Sequence, residues 1–251
     1  MTALSWWIAE TTGSPEDEAL AREHRLPVQR TPPTTGWYLA RDNARLALHR
    51  ADGPRAYPLI CDLAAVAAER AAGARQSPLA KACGLARPTT MRVCDATAGL
   101  GRDSVMLAWL GAMVTPLERH PAIYLLLHDA WQHVHSSPAP PAWAARLEPP
   151  QAVDAARWFI EQPPATFDTI YMDPMFAATR RKAQPQKALA WLGELAGPDM
   201  DADDLLAAAH QAAAKRVVVK QHARSTPLAS PSYQIKAKAV RFDVYLIGNS
   251  P

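Results

Sequence analysis

The chain has 251 residues, 49% hydrophobic and 20% charged. That globular balance argues against wholesale disorder and suits one large domain with at most a small addition. Its formal net charge of +3 is unevenly spread: residues 1–174 hold 16 Lys/Arg and 18 Asp/Glu, residues 175–251 hold 11 and 6. A basic final third suits either a phosphate-bearing partner or a solvated surface. Three cysteines, Cys61, Cys83 and Cys94, show no Cys-x-x-Cys spacing. They argue against a disulfide framework and a thiolate zinc site, so no metal is expected and a reducing cytoplasm fits. The start MTALSWWIAETTG lacks a basic segment before its apolar patch, and no run of 18 apolar residues occurs, so neither a secretory signal nor a membrane span is expected. The 23 prolines, nearly twice the usual ~5%, call for irregular connections.

In chain order, Ser14-Pro-Glu-Asp-Glu predicts a helix to about Arg25, with Ser14 as cap and acids in the first turn. WYLARDNARLALHR places two apolar-rich arms around Asp42-Asn43 and predicts a hairpin. Residues 1–56 thus form a small N-terminal α+β appendage, and residues 57–251 a larger domain. Tyr57-Pro-Leu-Ile-Cys is a short strand, and Leu63–Ala72 and Pro78–Gly84 are helical. From there strands and helices alternate. Strands are expected at Met91–Cys94, Met113–Leu117, weakly at Ala152-Val153, and at Thr169–Met172 and Arg216–Lys220. Two last strands fall near 233–238 and 240–247. Helices are expected from Arg102 to Leu110, from Pro121 to about His133, over Ala155–Glu161, and near 185–196 and 201–214. Residues 136–150, with five prolines, read as a surface excursion. Such alternation implies an α/β fold with a mostly parallel, doubly wound sheet. Asp95, Glu118, Asp154 and Asp173 each end a predicted strand, at the edge where open α/β sheets bind ligands.

Two motifs carry chemistry. In Asp95-Ala-Thr-Ala-Gly99-Leu-Gly101-Arg102-Asp103 the glycines allow a tight turn and close ligand approach, and the next helix offers free N–H groups. Glu118, 17 residues past Gly101, can accept both hydroxyls of an adenosine ribose. A dinucleotide fingerprint wants glycine where Ser104 stands, and Asp103 would repel a pyrophosphate. The ammonium and sulfonium of S-adenosylmethionine suit Asp95 and Asp103 better, although both cofactors, and a plain turn, stay open on these residues alone. The second motif is Tyr171-Met-Asp173-Pro174-Met175-Phe176. An exocyclic amine conjugated to a base is a poor nucleophile. The Asp173 carboxylate and the Pro174 carbonyl can each accept one of its N–H bonds and stabilise the charge that develops on methylation. Phe176 can stack on the flat base. Arg180, Arg181 and Lys182 follow closely enough to grip flanking phosphates, and Lys220 lies in a second basic group with Lys215, Arg216, His222 and Arg224. For each basic group a solvated face is an equal alternative.

DATAGLGRD, LERHP, YMDPMF and KRVVVK, in this order and spacing, resemble the bacterial small-subunit ribosomal RNA methyltransferase J family over roughly residues 57–247. The resemblance implies a Rossmann-like class I methyltransferase. It implies transfer of a methyl group from S-adenosylmethionine to N2 of one guanine near the 3′ end of 16S rRNA, in the cytoplasm, with S-adenosylhomocysteine as product. It further implies cofactor contacts at Arg102, Asp103, Glu118 and Arg119, with Asp173 at the active site. A pair of small hydroxyl residues of the family matches Ala155 and Ala156 here, so hydroxyl contacts are lost and backbone ones could remain; Asp154 is expected to take the adenine amino group instead. The glycine-rich stretch ahead of the first strand is thinned to AAGARQSPLAKA. Three rivals are set against this reading: an amino or amide methyltransferase acting on protein or DNA, a non-catalytic RNA-binding protein, and a nicotinamide oxidoreductase.

Overall fold

A computed structural model of the chain describes residues 4–7, 14–31, 33–52, 58–70, 73–87, 89–174, 187–197 and 199–248. Strands Leu4–Trp7 (β1), Val28–Gln29 (β2), Trp37–Asp42 (β3), Arg45–Arg50 (β4) and Leu59–Ile60 (β5) make a sheet of order β2-β1-β3-β4-β5. Helix Pro15–Glu23 (α1) starts as the sequence predicts: the Ser14 hydroxyl accepts the Asp17 N–H at 3.2 Å. The hairpin turns through Asn43 and Ala44, both at positive φ, 48° and 67°. That mirror-image geometry matches the twist of the arms. β1 was not foreseen; it pairs in parallel with β2 and β3, and its Trp6 is fully buried. The sheet's last strand, β5, lies beyond residue 56.

The second sheet comprises Arg92–Asp95 (β6), Met113–Pro116 (β7), Phe167–Met172 (β8), Ala213–His222 (β9), Tyr233–Lys236 (β10) and Val240–Leu246 (β11), in the order β10-β11-β9-β8-β6-β7. β7, β6, β8 and β9 are parallel; β11 pairs antiparallel with β9, and β10 antiparallel with β11. The helices are Leu63–Arg70 (α2), Pro78–Ala82 (α3), Arg102–Leu110 (α4), Pro121–His135 (α5), Ala155–Ile160 (α6), Lys187–Ala196 (α7) and Ala202–Ala212 (α8). The central strands are buried on both faces, and their side chains alternate. Val93, Tyr171 and Val218 join one core with α2, α4 and α5, while Cys94, Ile170, Met172, Val217 and Val219 join the other with α6 and α8. That two-residue period is what a doubly wound sheet requires.

The first core also takes in Trp6, Trp37, Leu39, Leu46 and Leu48 of the N-terminal sheet. Beside it, Arg41 bonds Asp17 of α1 at 2.8 Å and Asp129 of α5 at 2.5 Å, and Arg45 bonds Asp129 at 2.9 Å. Removing one partner would leave a largely buried carboxylate without its cation, which destabilises the fold.

Two expectations need correction. Residues 136–150 are no mere surface excursion, because Trp143, Ala144 and Leu147 are buried. No strand forms at Ala152-Val153. Instead Leu147 and Gln151 make single parallel bridges to Val114 and Leu117 at the sheet edge. Between them Pro149 and Pro150 have no N–H to donate, so a continuous ladder cannot form.

Candidate active site

The glycine loop is stitched to the ends of both neighbouring strands. Ala96 N–H donates to the Tyr171 carbonyl (2.8 Å) and Ala98 N–H to the Leu117 carbonyl (2.9 Å). Gly99 and Gly101 adopt φ of 56° and 70°, a left-handed region that strains other residues. Gly101 caps α4, and a Cβ there would come within 2.7 Å of Leu127 and 2.9 Å of Leu63. A Cβ on Gly99 would meet nothing within 4 Å, so that side of the loop is open to a ligand.

Three of the four predicted acids converge around this loop. Asp95, at the end of β6, is 1% exposed; it accepts the Ser104 hydroxyl at 2.5 Å and the Thr97 N–H at 3.4 Å. Burial raises its pKa to about 7, reinforced by the charges of Asp103 and Asp173 and opposed by the Ser104 bond. Glu118, past β7, is also buried, and its two oxygens accept the N–H groups of Gly99 (3.0 Å) and His120 (2.7 Å). Burial pushes its pKa up against those two bonds. The His120 Nδ1 beside it is buried with no partner among the described residues.

Asp173 follows β8. Its N–H donates to the Thr97 hydroxyl at 2.7 Å, which ties the loop to the second motif. Its side chain stays 40% exposed, and its Oδ2 accepts the Lys220 ammonium at 2.7 Å. Partial loss of hydration at the strand end, with the nearby charges of Asp103 and Asp199, raises the Asp173 pKa against the opposing Lys220 ammonium. Asp103, in the first turn of α4, accepts both the Lys220 ammonium (2.8 Å) and the Tyr171 hydroxyl (2.6 Å) on Oδ2. Burial works against the Lys220 ammonium, but these two carboxylates outweigh it and raise the Lys220 pKa. The β-ladder explains the meeting: Asp95 is opposite Tyr171 and Met172 opposite Val219, so Asp173 and Lys220 stand side by side one residue further on.

Other predicted residues fall elsewhere. Asp154 does not end a strand: it caps α6, its carboxylate accepting the Arg157 N–H at 3.1 Å, with Ala155 and Ala156 as the first helical residues. Arg119 is an electrostatic staple, paired with Asp199 and Asp201 ahead of α8 and lying 3.6 Å from Asp154. Arg102 lies 3.7 Å from Glu69. Lys220 was expected among phosphate contacts; its ammonium is instead engaged by Asp103 and Asp173, only 23% exposed. Pro174 is buried, while Phe176, Arg180, Arg181 and Lys182 lie outside the described residues. Sequence reasoning gave no role to Thr97, Ser104 or the Tyr171 hydroxyl. No group of three or more His, Cys, Asp or Glu suited to a metal ion occurs among the described residues, and no helix there is long and apolar enough to cross a membrane.

The donor set fits S-adenosylmethionine. Buried carboxylates, an open glycine turn and unpaired imidazole nitrogen at parallel strand ends suit a cationic nucleoside far better than a pyrophosphate. Comparison with known proteins agrees. The family model described as "Putative SAM-dependent methyltransferase" matches residues 19–247. The ribosomal RNA small subunit methyltransferase J of Pseudoalteromonas atlantica is 41% identical over 84% of this chain and 86% of its own length. That of Laribacter hongkongensis is 38% identical over 91% and 82%. The crystal structure of a SAM-dependent methyltransferase from Neisseria gonorrhoeae superposes with a TM-score of 0.75 at 30% identity, covering 98% of both chains. With the class I fold, the carboxylate-lined loop and these similarities in agreement, the chain belongs to the ribosomal RNA small subunit methyltransferase J family of SAM-dependent enzymes.

Proposed function

We propose that this enzyme methylates the exocyclic N2 of one guanine near the 3′ end of 16S rRNA, in the cytoplasm, on naked rRNA or the small ribosomal subunit. The observation that supports it most is Asp173: a half-exposed carboxylate at the end of the central strand β8, anchored to the glycine loop through Thr97. When bound, S-adenosylmethionine supplies a methyl group already activated on a sulfonium. Glu118 would hold the ribose hydroxyls, Asp95 with the Gly99–Gly101 turn the methionine end, and Asp154 the adenine amine. Arg102, Asp103 and Arg119, with the backbone of Ala155 and Ala156, complete the proposed contact set. Asp173 and the Pro174 carbonyl accept the two N2–H bonds and draw electron density toward the nitrogen that must attack. The N2 proton then leaves to Asp173 or to water. Phe176 would stack on the guanine, and Arg180, Arg181 and Lys182 would hold neighbouring phosphates. A paired guanine hides N2, so the base must be presented unstacked.

The test is nucleoside mass analysis of 16S rRNA, free and in small subunits, before and after incubation with enzyme and methyl donor. One added N2-methylguanosine is expected, and no methylated guanine from either substrate would refute the assignment. Asp173→Ala should lower the rate about 10²-fold while S-adenosylhomocysteine binds within a few-fold of normal; full activity in that variant would remove Asp173 from the mechanism.

A further inference from the structure

Lys220 has a place that its sequence neighbours do not share. Lys215 reaches out to Asp168 at 2.8 Å, and Arg216 turns to the Ala82 carbonyl and the Tyr233 hydroxyl, each at 3.3 Å. Lys220 turns inward, on the same face of β9 as Val218, toward the start of α4. A sequestered ammonium is tolerated only where charge and hydrogen bonds compensate it, and here Asp103 and Asp173 do so within 2.8 Å. To grip an RNA phosphate, Lys220 would have to leave both acids facing each other without a cation between them.

We infer that Lys220 is a positioning residue for methyl transfer, holding the acceptor carboxylate Asp173 by Oδ2 and tying it through Asp103 to the first turn of α4. This rests on the proposed role of Asp173. Oδ2 is the oxygen that the ammonium takes up, which assigns Oδ1 to the amine in this reading. The backbone of Asp173 is fixed separately by Thr97, so its main chain is set by the glycine loop and its side chain by β9. The Tyr171 hydroxyl, on the same Asp103 oxygen as Lys220, keeps the far end of the bridge in place. The bridge therefore joins the loop proposed for the cofactor to the group proposed for the acceptor base, a juxtaposition that methyl transfer requires within a fraction of an ångström.

The experiment compares wild type, Lys220→Met, Lys220→Arg and Tyr171→Phe on small subunits lacking the modification. It reads kcat, KM for the subunit, its salt dependence, and S-adenosylhomocysteine affinity by calorimetry. Lys220→Met should lose about 10- to 100-fold in kcat, with KM and product affinity within about threefold. Lys220→Arg should recover most of that loss, and Tyr171→Phe should lose about threefold. The acid limb of kcat should move to higher pH in Lys220→Met, because Asp173 then faces Asp95, Asp103, Asp199 and the Tyr171 hydroxyl without the ammonium. Unchanged kcat overturns the inference. So does a raised KM with a salt slope reduced by about one, the mark of a phosphate contact. If Lys220→Met does not fold, Tyr171→Phe decides, and wild-type kcat there overturns the network. A wild-type enzyme that methylates no guanine N2 refutes the proposed function instead, whatever the variants do.

Discussion

Replacing Asp95 by asparagine tests the electrostatics of the site directly. The carboxyl is 1% exposed, and burial holds its pKa at about 7 instead of the ordinary 3.8. The folded state therefore keeps a proton that the unfolded state has already lost. Between pH 3.8 and about 7 the native form binds more protons, so Asp95 makes stability fall as pH rises. Above about 7 both states are ionised and its contribution levels off. At about 1.4 kcal/mol per pH unit the complete loss is about 4 kcal/mol, of which about 2–3 kcal/mol falls between pH 5 and pH 9. Asparagine carries no charge and keeps an oxygen for the Ser104 hydroxyl, so Asp95→Asn lacks this slope. Urea unfolding at five pH values from 5 to 9 should show the variant gaining on wild type by that amount. Curves that stay parallel within about 0.5 kcal/mol would mean that Asp95 is not desolvated as the fold implies. A second readout is cofactor affinity. If Asp95 meets the methionine ammonium, S-adenosylhomocysteine should bind wild type more tightly from pH 6 to pH 8, and this gain should vanish in the variant.

Glu118→Gln should weaken S-adenosylhomocysteine binding by about tenfold in calorimetry, on the scale of one charge-assisted hydrogen bond, with the fold kept because glutamine can still accept the Gly99 or His120 N–H. An unchanged dissociation constant would take the ribose from Glu118. Gly101→Ala should cost about 2–3 kcal/mol in denaturant unfolding, from positive φ and the approach to Leu127 and Leu63. Gly99→Ala, with φ of 56° but open space around its Cβ, should cost only about 1 kcal/mol yet weaken the cofactor more than Gly101→Ala does per unit of stability lost. Equal effects of the two would place no ligand over Gly99.

The sheet and its acids were legible because apolar runs such as RVCD and TIYMD each end on an acid, at the strand edge where open α/β sheets bind ligands, and because glycines at 99 and 101 mark a turn that other residues resist. What stayed hidden had physical causes. β1 is only four residues, too short for either period to declare itself. Ala152-Val153 looks like a strand by composition, but the prolines before it break the ladder. Lys220 sat in a basic group whose sign says nothing about direction. The strand period did hold that information: in KRVVVK, Val217 and Val219 share one face, Val218 and Lys220 the other. Asp154 shows the converse, since an acid before a helix serves as its cap whether or not a strand precedes it.

Among the described residues, Asp95, Asp103, Glu118 and Asp173 gather around the glycine loop, with the Lys220 ammonium held between Asp103 and Asp173. An arrangement selected for stability alone would not keep carboxylates such as Asp95 and Glu118, which burial drives toward protonation. Such a cluster gains most from a bound cation, and an anionic pyrophosphate would add to its repulsion. Asp95 and Glu118, whose raised pKa values make stability fall toward alkaline pH, are therefore charges that a cationic nucleoside would offset. That is why the pH dependence of unfolding and the pH dependence of cofactor binding should change together when Asp95 loses its charge.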